Sequence, residues 1–126
     1  MRDFIASRPR SFRYAFSGWW HVLRTQKNTR IHALATACVI ALAIWLKLSL
    51  LEWGVLIIAV GLVWAAECIN TAIEALVDLV SPDYNRLAGI AKDTGAAGVL
   101  VCAITAAILG FLVLGPPLWK IISSWF

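Results

Sequence analysis

From Thr94 to Trp119 the chain runs for 26 residues without a charged side chain, and no other feature constrains its fold as strongly. A helix needs about 20 residues to cross a bilayer core of roughly 30 Å, so this stretch reads as a membrane span. Two further stretches read the same way. Ile31 to Leu46 carries no formal charge and the run resumes after Lys47 as far as Glu52, while Trp53 to Ala66 opens an apolar helix into which Glu67, Asn70, Glu74 and Asp78 are set. Composition agrees, since 61% of the 126 residues are hydrophobic and 14% charged, against about a quarter charged in a water-soluble domain. That excludes an ordinary soluble domain. A net charge of +4, without zinc-ligand spacing or basic and aromatic alternation, speaks against nucleic acid as a partner.

The expected fold class is an all-α integral membrane protein, a single domain over residues 1–126, with an amino-terminal amphipathic surface helix at about 8–27 and spans at about 31–50, 52–80 and 91–114. The short Lys47-Leu-Ser-Leu-Leu-Glu52 connection makes the first two spans an antiparallel hairpin. Gly115-Pro116-Pro117 is expected to stop the third, with Trp119 and Trp125 as interfacial anchors. On the surface helix Phe12, Phe16, Trp19 and Leu23 fall within an arc of about 60°, opposite Arg10, Arg13, Ser17, His21 and Arg24. Such a helix lies flat in the interface, either as an anchor or as a lid beside a site. Small residues four apart, Ala91 and Gly95, Ala103 and Ala107, Ala106 and Gly110, are expected to let helices approach closely. Cys38, Cys68 and Cys102 fall one to each span and read as small buried hydrophobes. Residues 1–30 hold no apolar run behind their charges, so no cleaved leader is expected.

Seven of the eleven cations, Arg2, Arg8, Arg10, Arg13, Arg24, Lys27 and Arg30, precede the first span, which places the amino terminus on the cytoplasmic side. With three crossings the loop from Ser81 to Ala91 shares that compartment. This is the compartment that contains ATP.

The chemistry concentrates in Glu67-Cys-Ile-Asn70-Thr71-Ala-Ile-Glu74-Ala-Leu-Val-Asp78. At 100° per residue Glu67, Glu74 and Asp78 lie within about 40° of one helix face, flanked by Asn70 and Thr71. Ionisable groups near membrane depth cost about 2.5 to 3.5 kcal/mol each, so an acidic stripe there points to function, and a cation is its simplest partner. Carboxylate and amide oxygens suit Mg²⁺, which is held by one or two carboxylates plus substrate phosphates, so a nucleoside triphosphate is the natural ligand. Two other readings stand beside this one: an interhelical cluster tied to Lys92, and a proton-relay carboxylate in a small transporter. No GxxxxGK[ST] loop occurs. Positioning and charge neutralisation do most of the work in phosphoryl transfer, and a small helical scaffold can supply both.

At these residues the sequence resembles the prokaryotic diacylglycerol kinase family, which includes undecaprenol kinases. The likeness rests on Glu67-x-x-Asn70-Thr71-Ala72-Ile73-Glu74 with Asp78, the loop Asp83-Tyr84-Asn85, Ala91-Lys92-Asp93, and the upstream Asn28-x-Arg30-Ile31-His32, and it covers roughly Ser11 to Leu114. The resemblance implies a homotrimeric kinase of the bacterial inner membrane, with its active site on the cytoplasmic side. Such an enzyme uses Mg²⁺ and moves the ATP γ-phosphate to a lipid alcohol. It implies Glu67 as catalytic base, Glu74 as Mg²⁺ and ATP ligand, and Asn70 and Asp78 as supporting polar groups. Tyr14, Asp83, Tyr84, Asn85, Lys92 and Asp93 match nucleotide-contacting positions. One departure stands out: Gln26 occupies the place of a metal-binding glutamate, and an amide oxygen can ligate Mg²⁺ but brings no charge. The Arg24-to-His32 segment is closer to the undecaprenol kinase subgroup and points to a polyprenol over diacylglycerol. The competing functional expectations are a proton-coupled transporter and a non-catalytic nucleotide-binding membrane subunit. His21 and His32 read as interfacial side chains.

Overall fold

The computed structural model describes residues 2–83 and 85–125, and the side chains of residues 11–83 and 85–125. Four helices follow one another: α1 (Arg2–Thr25), α2 (Lys27–Trp45), α3 (Leu50–Val80) and α4 (Arg86–Ser123), and no strand occurs among the described residues. The last three are long and apolar enough to cross a membrane. Their surfaces are covered with exposed leucine, isoleucine, valine and phenylalanine, as expected of a chain solvated by lipid.

The helix boundaries have local causes, and several differ from those the sequence suggested. α1 and α2 meet at Gln26, which is extended (φ −93°, ψ 120°), so the first span begins at Lys27 instead of 31. It ends at Trp45, short of 50, because Lys47 turns into the left-handed region at φ 54°. There Leu48 N–H donates to Ala43 O at 3.2 Å and Lys47 N–H to Ile44 O at 3.1 Å, the two bonds of a Schellman stop. Leu48 then packs beside Ala43, Leu56 and Leu114, the apolar cluster that joins this end of α2, α3 and α4. α3 starts with a capping box, in which the Ser49 hydroxyl accepts from Glu52 N–H and the Glu52 carboxylate accepts from Ser49 N–H at 2.7 Å. The hairpin between the first two spans is therefore specified within six residues.

α4 does not stop at Gly115-Pro116-Pro117; it runs on to Ser123. Two adjacent prolines remove the amide bonds that would reach the carbonyls of Leu112 and Val113. Both nevertheless carry helical φ, and Gly115 has no Cβ to clash with the following ring. The packing of Leu114 and Leu118 in the cluster with α2 and α3 holds the continuation in place. At 1.5 Å per residue these 38 residues span about 57 Å, well beyond the bilayer core.

The cysteines are all free, and none is buried: Cys38 is exposed, while Cys68 and Cys102 are half-buried. They belong to the lipid-facing and groove-lining surface instead of the core. α1 buries Val22 and sets Trp19 against Trp64 of α3, ring centroids 5.3 Å apart. Phe12 and Phe16 stay 67% and 69% exposed, which leaves that part of the aromatic arc for the acyl boundary.

Candidate functional site

Antiparallel packing of α2 on α3 brings two polar stripes face to face. The Gln26 side-chain amide donates to Glu74 Oε2 at 2.9 Å, His32 Nε2 lies 3.2 Å from Glu67 Oε1, and Trp64 Nε1 donates to Thr36 Oγ1 at 3.2 Å. The partner numbers sum to about 100 throughout, the mark of one continuous register. In the same register Thr29, fully buried, falls opposite Thr71, also buried. Gln26, Thr29, His32 and Thr36 are spaced by three and four residues, so they share one side of α2.

The acids of α3 divide along a gradient of depth. Glu67 is 3% exposed, and its Oε1 has no hydrogen bond apart from the close but unaligned approach of His32. Glu74 is half-buried, and each of its carboxylate oxygens accepts an amide, Oε2 from Gln26 and Oε1 from Asn70 Nδ2 at 2.9 Å. Asp78 is largely exposed and paired with Lys92 of α4. Such a surface pair contributes about 0 to 1 kcal/mol and serves more to place the two side chains than to stabilise the fold. Amides thus do for Glu74 what a second cation would otherwise do.

α4 supports the stripe through one close approach. A Cβ on Gly95 would come within 2.5 Å of the Asn70 side-chain oxygen, so this glycine lets α4 lie against the residue that holds Glu74. The other small residues behave differently. Gly98 and Gly110 meet nothing within 4 Å, and Ala103, Ala106, Ala107 and Gly110 line an apolar cavity of about 160 Å³ between α2, α3 and α4 instead of closing the helices together. His32 and Thr36 line the same cavity. Gly95→Ala is therefore expected to push Asn70 off Glu74 and lower stability by about 1 to 3 kcal/mol, the cost of a stranded polar group. Thermal unfolding followed by circular dichroism would show it, and an unchanged melting temperature would mean that Asn70 does not depend on this close approach.

The remaining expected nucleotide contacts are only partly gathered. Asp78, Asp83, Asn85 and Lys92 line one cleft of about 230 Å³ at the α3–α4 turn. Within it the Asn85 side chain is engaged as the α4 cap, accepting from Leu87 N–H at 2.8 Å. Asp93 is exposed and forms no hydrogen bond or ion pair with this group, and Tyr14 is exposed on α1 with the Arg13 guanidinium 5.8 Å from its ring. Tyr84 lies outside the described residues. His32 is the residue that sequence reasoning missed. Its contact with Glu67 joins positions 35 residues apart, and the available signals were the 26, 29, 32, 36 polar spacing and its place in the Asn28-x-Arg30-Ile31-His32 motif.

Among the described residues no three His, Cys, Asp or Glu side chains converge as a metal cage. Glu74 offers the one carboxylate that Mg²⁺ needs from protein when phosphates and water complete its shell, while Gln26 faces it with its amide N–H and would have to turn that amide over to add an oxygen.

Residues 13–114 match the family described as prokaryotic diacylglycerol kinase. The chain is 37% identical over 109 residues to an undecaprenol kinase of Bacillus subtilis, covering 86% of this chain and 89% of that protein. It is 45% identical over 109 residues to a diacylglycerol kinase of Synechocystis, covering 86% of this chain and 62% of that protein. With a diacylglycerol kinase of Escherichia coli it shares 38% identity over 101 residues, 80% of this chain and 83% of that one.

Proposed function

The chain belongs to the prokaryotic diacylglycerol kinase family and is a membrane lipid kinase, and from that premise we propose that it transfers the γ-phosphate of Mg-ATP to a long polyprenol in preference to diacylglycerol. Family membership sets aside the transporter and the non-catalytic subunit. The observation that carries the reading is the depth gradient on α3: a buried carboxylate at Glu67, and a half-buried, amide-held one at Glu74, two turns nearer the α3–α4 turn.

Glu67 accepts the proton of the lipid hydroxyl. Glu74 and Gln26 would hold Mg²⁺, which neutralises charge on the phosphate oxygens when bound. Asn70 keeps the Glu74 carboxylate in place, and Lys92 with Asp78 sets the positive charge at the nucleotide side. The cation bias before α2 supports a bacterial inner membrane location with this end cytoplasmic. We assign the homotrimeric assembly to the same proposal; it would cover the stripe from lipid.

The lipid chain has a place in the cavity that His32 and Thr36 help to line. At about 160 Å³ and lined mainly by small apolar side chains, it offers a seat for a hydrocarbon chain beside His32, and the likeness of the Arg24-to-His32 segment to undecaprenol kinases supports a polyprenol in it. Purified protein given labelled Mg-ATP with undecaprenol or diacylglycerol should phosphorylate undecaprenol at least about tenfold more efficiently, a margin of about 1.4 kcal/mol. Filling the cavity with Ala107→Phe should raise the lipid KM about tenfold and leave the ATP KM unchanged. Faster turnover of diacylglycerol would overturn the preference, and product from neither alcohol would overturn the activity.

A further inference from the structure

We infer that His32 is a positioning residue for Glu67: its imidazole, reaching across from α2, fixes the orientation of the buried carboxylate. This rests on Glu67 being the base of the proposed reaction. His32 reaches Glu67 from a different helix, with Nε2 3.2 Å from Oε1. Among the described residues no other ionisable side chain lies within ion-pair distance of that carboxylate. Glu67 Oε1 is buried without another partner, so the nearby imidazole nitrogen is the polar group within its reach. The His32 side chain is 22% exposed, so the far edge of the ring stays in reach of the surroundings. Its position also joins the two parts of the lipid site, because His32 lines the apolar cavity and touches the carboxylate.

The choice of residue type follows from the work of the base. A buried carboxylate left unpaired is costly, so some donor must face it. A lysine or arginine there would lock the carboxylate into an ion pair and compete with the lipid hydroxyl for its oxygens. An imidazole N–H donates one hydrogen bond from a ring that carries no obligatory charge. The other carboxylate oxygen is left to take the proton when the lipid O–H bond breaks. The lipid oxygen then bonds to the γ-phosphorus, the bond from that phosphorus to the β–γ bridging oxygen breaks, and ADP leaves. The proton passes from Glu67 to water.

Three substitutions test this in the full-length protein, with labelled Mg-ATP and undecaprenol. His32→Ala is expected to lower kcat about 10²-fold, with KM for ATP and lipid within about threefold. His32→Gln, whose amide nitrogen can reach the same carboxylate, is expected to restore kcat to within about threefold of the parent. His32→Lys keeps a donor but adds charge, and should turn over at least about tenfold more slowly than the Gln variant. Wild-type kcat in His32→Ala, or His32→Lys equalling His32→Gln, overturns the inference. So does loss in His32→Ala and His32→Gln alike with matching loss of thermal stability. Glu67→Gln run in parallel separates the outcomes: if it too keeps full activity, the base assignment fails and not merely the role of His32.

Discussion

Glu67→Gln is expected to lower kcat by about 10³-fold while the KM for Mg-ATP stays within about threefold, the pattern of a lost general base. Glutamine matches the glutamate in shape, and its amide can still face His32, so the 3% exposed pocket needs no repacking. What disappears is the ability to take a proton from the lipid hydroxyl. The measurement is labelled phosphate transfer to undecaprenol over an ATP titration, with size and helicity of the purified protein as controls. A kcat within tenfold of the parent would remove Glu67 from the chemistry.

Glu74→Gln should fail in the opposite parameter, with KM for Mg-ATP rising about 10²-fold, or about 2.7 kcal/mol, and a smaller loss in kcat. Both oxygens of Glu74 accept amide donors, from Gln26 and Asn70. A glutamine at 74 has one acceptor for those two donors, so one amide is turned against another, at about 1 to 3 kcal/mol for a stranded buried group. The charge loss matters more. Gln26 is already neutral, so Glu74 is the sole carboxylate of this pair, and replacing it leaves nothing anionic to meet the metal of Mg-ATP. Titrating Mg²⁺ at fixed ATP should show a matching shift. An unchanged KM would place nucleotide binding elsewhere, with the cleft of Asp78, Asp83 and Lys92 as the next candidate.

The acidic stripe was legible because it lies within one helix: a 3.6-residue period relates Glu67, Asn70, Glu74 and Asp78 without any knowledge of neighbours. The contacts of that stripe were not legible in the same way. Gln26 and Glu74 are 48 residues apart, and His32 and Glu67 are 35 apart, so their meeting depends on the register between α2 and α3. Gly95 and Gly110 look alike on a helical wheel, yet one abuts Asn70 and the other faces open space. The prolines of α4 show the same division. Local rules end a helix there, but packing of Leu114 and Leu118 with α2 and α3 carries it on to Ser123.

By itself the sequence determined that this chain spans a membrane with three helices and sets acids on one of them, since hydropathy and helical period are local properties of consecutive residues. The tertiary structure alone decided how the acids are shared out: Glu67 to His32, Glu74 to Gln26 and Asn70, and Asp78 to Lys92. Those pairings arise from the way whole helices pack, and a buried polar group takes whichever partner that packing brings within reach.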